Sequence, residues 1–405
     1  MSSLTPAPRG GSSALFTPLT IANGKTTLNH RIIMAPMTRN RGIPLPPSDP
    51  STPTRIWIPD SLIATYYSQR TTPGGLQITE SALVSPSAGA MPGVPGLWLP
   101  EQIEGWKLVT SAVHKKGGTI YAQLCHHGRV ALPQFTGLPA VSASATPWST
   151  DEKYPYPPPG ESSRVMLKEI PPLELSEEGL KNTIADFLTA AKNAMEAGFD
   201  GVELHAGNGY LLEQFLASGV NKRTDKYGGS AENRCRFVVE VVEEVGKAIG
   251  IENVAVRMSP WGVYNDIQDD DRFETWGTLC RALGKLGGLS YVHFVEARED
   301  EKPLWEKSWG EGRELGFEWA REGLGSVPVF SAGVWDADSV WGAVETGKVD
   351  ACVFARWFVS NLDLVERLKL GKELTMYNRA KFYGPTSKRE VGYTDYLTWG
   401  ESAGK

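Results

Sequence analysis

Eight short apolar runs, spaced along almost the whole chain, constrain the fold more than any other feature of the sequence. They occupy residues 31–35, 76–80, 119–124, 202–204, 254–258, 291–295, 327–331 and 351–354, and each gives way to polar or small residues. Runs of this length suit buried strands rather than helices. Between several of them the period changes to that of a helix. Leu180, Ile184, Phe187, Leu188, Ala191 and Met195 fall on one face of a segment that starts near Ser176 and stops at Gly198. Phe237, Val238, Val241, Val242, Val245 and Ile249 do the same between Ser230, placed as an N-cap, and Gly250. Buried strands alternating with helices pair in parallel, and eight is the number that closes a (β/α)8 TIM barrel. An open doubly wound sheet is the alternative.

Asn23-Gly24, between two short strand-like stretches of residues 20–28, predicts an N-terminal β-hairpin with a two-residue turn. Three stretches interrupt the rhythm and read as long capping loops: residues 44–59, 131–172 and 298–322. The last holds Trp305, Trp309 and Trp319, which suggests that it packs onto something apolar. Residues 1–13, rich in Ser, Pro and Gly, read as a disordered tail, leaving 14–405 as one domain.

Composition narrows the function classes. A net charge of −6 without a long basic run argues against nucleic acid or an anionic membrane as partner. No window has the roughly 20 apolar residues of a membrane span. Four well-separated cysteines (Cys125, Cys235, Cys280, Cys352) fit reduced thiols in a cytoplasmic setting, not a disulfide framework.

Chemistry concentrates in residues 200–212, where the run Val202-Glu203-Leu204 breaks into His205-Ala206-Gly207-Asn208-Gly209-Tyr210. His205 and Asn208, three positions apart at a strand's mouth, can donate to one oxygen atom, and Tyr210 can carry a proton to a neighbouring atom. The structural alternative is a turn whose polar side chains only satisfy backbone. Polar or small residues follow other runs too: Thr38, Gln123, Arg257, Gly333 and Arg356. In barrel enzymes chemistry gathers at the carboxyl ends of the strands. An Arg directly after a buried run must answer a negative charge or bear a desolvation cost, and this applies to Arg257 and to Arg356. An anionic ligand gripped near Gly333 and Arg356 answers it; ordinary ion pairs are the alternative. Motifs for nucleotide loops, dinucleotide folds, zinc proteases and serine hydrolases are absent. A metal site built from His126-His127 with His205 or His293 is a minor alternative, because carboxylates at the run ends are few.

At these residues the chain resembles the Old Yellow Enzyme family of flavin-dependent ene-reductases. The resemblance is carried by Leu15-Phe16-Thr17-Pro18-Leu19, by Asn29-His30-Arg31-Ile32-Ile33-Met34-Ala35-Pro36-Met37-Thr38-Arg39 and by Gly74-Gly75-Leu76-Gln77-Ile78-Thr79-Glu80. It continues through Gln123-Leu124-Cys125-His126-His127-Gly128-Arg129, Ala197 to Leu216, and Asn221-Lys222-Arg223-Thr224-Asp225-Lys226-Tyr227-Gly228-Gly229-Ser230, reaching about Tyr383.

The resemblance implies a non-covalent FMN across the top of a (β/α)8 barrel. It places Ala35, Pro36, Met37 and Thr38 along the ring system, Gly74 and Gln123 at the pyrimidine edge, and Arg257 near N1 and O2. Gly333, Ala355 and Arg356 fall at the phosphate. NADPH or NADH would reduce the flavin. An activated alkene, an enone or enal, would then be held through its carbonyl oxygen by His205 and Asn208, take hydride at the β-carbon and receive a proton from Tyr210. Cys125 stands where the family commonly has Trp, so a wider pocket is expected, and Tyr383 matches a late pocket aromatic. Ala355 replaces a usual Gly. Two other readings stand beside the ene-reductase: a specialised member that reduces or isomerises one secondary-metabolite intermediate, and a flavin-binding protein without turnover. The expected assembly is a monomer or homodimer.

Overall fold

The computed structural model describes residues 7–49, 51–313, 315–384 and 388–403. Strands β1 (Leu19–Ile21) and β2 (Thr26–Leu28) form the expected N-terminal hairpin. Its connection differs: Ile21 pairs with Thr26, so four residues make the turn, and Ala22, Asn23 and Gly24 all have positive φ. Asn-Gly supplied the left-handed backbone but not the loop length.

The barrel opens with β3 (Ile32–Met34). The stretch read as the first loop contains a second hairpin, β4 (Ile43–Leu45) with β5 (Ile56–Ile58), ahead of helix α1 (Ser61–Gln69). Strand β6 (Leu76–Leu83) outruns its apolar stretch, continuing past Glu80 through an irregularity in its register with the next strand. Helix α2 (Pro100–His114) leads to β7 (Thr119–Cys125). The second long loop carries α3 (Pro133–Thr136) and a two-residue parallel pair, β8 (Val141–Ser142) and β9 (Leu173–Glu174).

Helix α4 (Glu177–Glu196) is capped by Ser176, whose hydroxyl accepts from Gly179 N–H, as its sequence predicts. Then come β10 (Gly201–Ala206), α5 (Leu211–Leu216), α6 (Ala231–Ile249), β11 (Val254–Met258), α7 (Arg272–Leu286) and β12 (Val292–Val295). Phe237, Val238, Val241, Val242 and Val245 of α6 are all buried, confirming the predicted face. Helices α8 (Lys302–Trp309) and α9 (Glu318–Leu324) fill the third long stretch. The Trp-rich segment does pack down. Trp309 lies 4.9 Å from Trp261 and 5.2 Å from Trp319, ring centre to ring centre, with Trp305 buried beside them.

Strand β13 (Val329–Ala332) begins two residues later than its apolar run, because Pro328 has no N–H to give to a sheet. After β14 (Ala351–Phe354) come α10 (Arg356–Ser360), α11 (Leu364–Leu370) and α12 (Trp399–Ala403). The eight strands β10-β11-β12-β13-β14-β3-β6-β7 close a parallel barrel. The fold is the (β/α)8 barrel expected from the sequence.

Of the N-terminal stretch, residues 1–6 lie outside the described residues. Residues 10–12 form a 3-10 turn, and Ser13 donates through its hydroxyl to Glu345 (2.7 Å). Among the described residues no helix is long and apolar enough to cross a membrane.

Candidate active site

Side chains along a barrel strand alternate between the interior and the surrounding helices. The inward residues Ile33, Ala35, Leu76, Ile78, Tyr121, Ala255, Tyr291, Phe330, Ala332, Ala351 and Val353 form one apolar cluster inside the barrel. Toward the carboxyl ends of four adjacent strands the interior turns polar. Gln123 lies on β7, Glu203 and His205 on β10, Arg257 on β11 and His293 on β12, with His205 beside Arg257 and Arg257 beside His293 in register. The opposite strands keep Ala332, Val353 and Ala35 inward.

Ser81 Oγ donates to Gln123 Oε1 (3.2 Å), and Gln123 Nε2 donates to Glu203 Oε1 (2.8 Å). His293 Nδ1 lies 2.9 Å from Glu203 Oε2, with both side chains fully buried. Burial disfavours the Glu203 anion, but His293, Arg257 and Gln123 outweigh it and hold the carboxyl below its ordinary range. Glu203 is the main favourable charge acting on the Arg257 guanidinium, although the two form no direct ion pair among the described residues. The place of Glu203 two residues before His205, on the same strand face, was the clue available in the sequence.

His205 is neutral, because burial and the Arg257 charge push its pKa well below the ordinary value. Donors face both ring nitrogens, Gly207 N–H at Nδ1 (3.3 Å) and Arg257 Nη1 at Nε2 (3.2 Å), and a neutral ring accepts from only one of them. His205 and Arg257 thus meet at the carboxyl ends of adjacent strands.

Asn208 sits in the left-handed region at φ 54° and Gly209 follows at φ 73°. Their backbone is fastened from several directions: Asn208 N–H to Ser259 Oγ (2.7 Å), Asn265 Nδ2 to Asn208 O (2.7 Å) and Gly209 N–H to Glu213 Oε2 (2.6 Å). A Cβ on residue 209 would stand 2.5 Å from Tyr264 O, so the turn tolerates only glycine. Glu213 also accepts from Ser259 Oγ (3.1 Å), and burial raises its carboxyl to about 7.

Tyr210 caps α5, its ring 5.1 Å from His205 and stacked 4.9 Å from His127. Burial, reinforced by Cys125, Tyr264, Tyr154 and Tyr383, raises the phenol pKa far above its ordinary value. The hydroxyl therefore keeps its proton through the physiological range. The buried Cys125 ends β7, and burial lifts its thiol to about 12, so it is not a thiolate nucleophile. Tyr383 is 60% exposed at the rim. Its segment is tied down by Tyr156, whose hydroxyl donates to Gly384 O (2.7 Å), and by Arg39, whose Nε donates to Phe382 O (2.8 Å).

Two expectations need correction. Gly74 precedes β6 and bonds to Gly117 O (2.7 Å), just ahead of β7, so it lies at the amino-terminal mouth, away from the site. Its φ of 70° and the Asn29 side chain 2.4 Å from any Cβ explain the glycine structurally. At the carboxyl end of the same strand it is Ser81, beyond the point where the apolar run ended, that hydrogen-bonds Gln123. Arg356 is exposed rather than buried, with Nη1 3.3 Å from the Tyr377 hydroxyl, so no desolvation argument applies to it. Gly333 (exposed), Ala355 (half-buried) and Arg356 do follow β13 and β14 at the carboxyl mouth. Ala35, Pro36, Met37 and Thr38 follow β3 there. His126 and His127 are otherwise engaged, His126 Nδ1 accepting from Gly128 N–H (3.0 Å) and His127 stacked on Tyr210. Among the described residues no three His, Cys, Asp or Glu side chains gather as metal ligands.

The mouth suits a flavin. Among the described residues a buried guanidinium nitrogen, Arg257 Nε, has no hydrogen-bond partner, and polar side chains on one arc face apolar ones on the other, as a ring system with one polar edge requires. The sequence profile of the NADH:flavin oxidoreductase / NADH oxidase family matches residues 14–375. The chain is 41% identical over 394 residues to the flavin oxidoreductase hxnT of Emericella nidulans, covering 94% of this chain and 97% of the relative. It is 38% identical over 386 residues to 12-oxophytodienoate reductase 2 of Arabidopsis thaliana, covering 95% and 96%. In structure it resembles an old yellow enzyme homologue from Zymomonas mobilis with a TM-score of 0.82 at 30% identity, over 95% of this chain and 99% of that one. Morphinone reductase in complex with tetrahydroNAD gives 0.79 at 35% identity, over 95% and 97%. A barrel with this mouth and these relatives places the chain in the FMN-dependent Old Yellow Enzyme family of oxidoreductases.

Proposed function

We infer that this oxidoreductase is an ene-reductase, acting on the C=C bond of α,β-unsaturated aldehydes and ketones. The observation that carries it is the pairing of a neutral His205 with a Tyr210 phenol that keeps its proton 5.1 Å away, ring to ring. An anchored carbonyl oxygen and a reserved acid are what reduction of a conjugated alkene needs from a protein. FMN, when bound, supplies the hydride chemistry.

The chain's residues do the rest. Ala35, Pro36, Met37 and Thr38 border the ring system; Gln123 with Ser81, and Arg257, take its polar edge; Gly333, Ala355 and Arg356 hold the phosphate. His205 and Asn208 hold the substrate oxygen, and Tyr210 gives its hydroxyl proton to the carbon next to the carbonyl. Cys125 and Tyr383 bound the pocket. The morphinone reductase neighbour, solved with tetrahydroNAD, supports a reduced nicotinamide as electron source. Relatives named for reducing 12-oxophytodienoate, an oxo compound with two alkenes, support the substrate class.

The test is an anaerobic visible spectrum of the purified protein, before and after NADPH and then after 2-cyclohexenone. The expected sequence is yellow, bleached, then yellow again. Protein that cannot be loaded with FMN sinks the site assignment. Protein that bleaches but stays reduced with every simple enone replaces this reading with that of a specialised member acting on one intermediate.

A further inference from the structure

The polar arc contains a charge that the proposed reaction does not use. Glu203 is fully buried in the barrel, on the strand that also carries His205, and it touches no atom of the carbonyl-binding or proton-donating set. Its two oxygens are each occupied, Oε1 by Gln123 Nε2 (2.8 Å) and Oε2 by His293 Nδ1 (2.9 Å). Among the described residues the far nitrogen of that ring, His293 Nε2, is buried without a partner. A neutral ring that donates through Nδ1 leaves only a bare acceptor there, whereas an imidazolium would leave an orphaned N–H, the costlier alternative. His293 thus orients the carboxylate through a hydrogen bond, and the fixed cation of this arc is Arg257, in register with both His205 and His293.

From this geometry we propose that Glu203 is a positioning residue that sets the reduction potential of the bound flavin, by offsetting the Arg257 charge and fixing the Gln123 amide. The proposal rests on the FMN site of the preceding section, in which Arg257 and Gln123 take the polar edge of the ring system. Reduction adds electron density at that edge. An uncompensated guanidinium favours the reduced cofactor, and a carboxylate in the same polar arc opposes that effect. A flavin that is too easily reduced accepts electrons from a nicotinamide readily and gives them up to an alkene reluctantly. A buried, hydrogen-bonded anion next to the cation keeps both half-reactions downhill.

The test is the two-electron midpoint potential of FMN-loaded protein at fixed pH, measured by dye equilibration for wild type and Glu203→Gln. The substitution is nearly isosteric, and reversal of the Gln123 amide preserves a hydrogen bond. The expected result is at least a tenfold shift of the reduction equilibrium toward the reduced form, about 30 mV for a two-electron couple. The first half-reaction should be retained while reoxidation by enone slows. An unchanged or lowered potential overturns the proposal. So does a folded Glu203→Gln protein that no longer takes up FMN, since that makes Glu203 a binding determinant. If the single variant does not fold, Arg257→Gln is compared with the double variant Glu203→Gln/Arg257→Gln, in which neither buried charge is left alone. The double variant must then have the higher potential of the two; equal potentials overturn the proposal. Wild-type protein that cannot be loaded with FMN fails the site assignment itself, which separates the two failures.

Discussion

Tyr210 and Cys125 are the two residues at which the proposed chemistry is most exposed to test. The Tyr210 ring is held between two histidines and cannot be replaced as an acid by any neighbour in contact with it. Tyr210→Phe keeps that packing and removes only the proton. Reoxidation by enone should fall by roughly 10²–10⁴ in stopped-flow measurements, while reduction by NADPH stays within twofold. Because burial raises the phenol pKa, no loss of this acid should appear in the rate–pH profile up to about pH 10, its ordinary value. With Cys125 in the proposed role of pocket wall, Cys125→Trp should lower kcat/KM for β-substituted cyclic enones relative to 2-cyclohexenone. An unchanged preference between the two substrates would show that this wall does not set their order.

The element that decides whether His205 and Asn208 work together is the turn after β10. Asn208 lies in the left-handed region, and the turn is held from β11's far end, where Ser259 Oγ accepts Asn208 N–H and donates to Glu213. Ser259→Ala strips a part-buried N–H of its acceptor, a cost of about 1 kcal/mol. Urea unfolding should show that loss. The KM for enone should rise with FMN content unchanged, since the turn positions the substrate donors and not the flavin edge. The irregularity in β6 acts in the same way on the other side of the mouth. It carries the strand past Glu80, whose carboxylate accepts from Arg39 N–H (3.1 Å), and brings Ser81 to Gln123. Polar residues at 79–81 read as a strand end in the sequence; the bulge lets the strand continue through them.

At the scale of the whole molecule, the core holds an unusual load of buried titratable groups, and they set its response to pH. His30 and His127 are lowered to about 4 and His126 to about 3, chiefly by burial, and His205 and His293 are lowered as well. A histidine with a depressed folded pKa contributes stability that is present above about pH 6.5 and is lost as pH falls toward the folded value. Between pH 6.5 and 5 His30, His126 and His127 are each worth on the order of 2 kcal/mol, and His205 and His293 act in the same direction. Burial raises Glu80 and Glu213 to about 7, which works the other way: their stability is present below about pH 4.5 and lost as pH rises through 7. Five histidines outweigh two carboxyls. The urea midpoint should therefore be lower at pH 5 than at pH 7.5. A higher midpoint at pH 5 would mean that the histidines charge inside the folded protein.

What the sequence determined by itself was everything governed by near neighbours along the chain. That covers eight strands and their order, the apolar faces and Ser caps of α4 and α6, and the spacing of His205, Asn208 and Tyr210 on one strand end. Periodicity, capping and turn chemistry act over a few residues, so they are written locally. Only the tertiary structure decided which strand ends meet. It brought the Glu203 charge to bear on Arg257, set Ser81 rather than Gly74 beside Gln123, left Arg356 on the surface and built hairpins and helices inside stretches that read as loops. Barrel closure and register set those neighbours, and a bulge or a shift of two residues in where a strand starts changes which end of the barrel a side chain reaches.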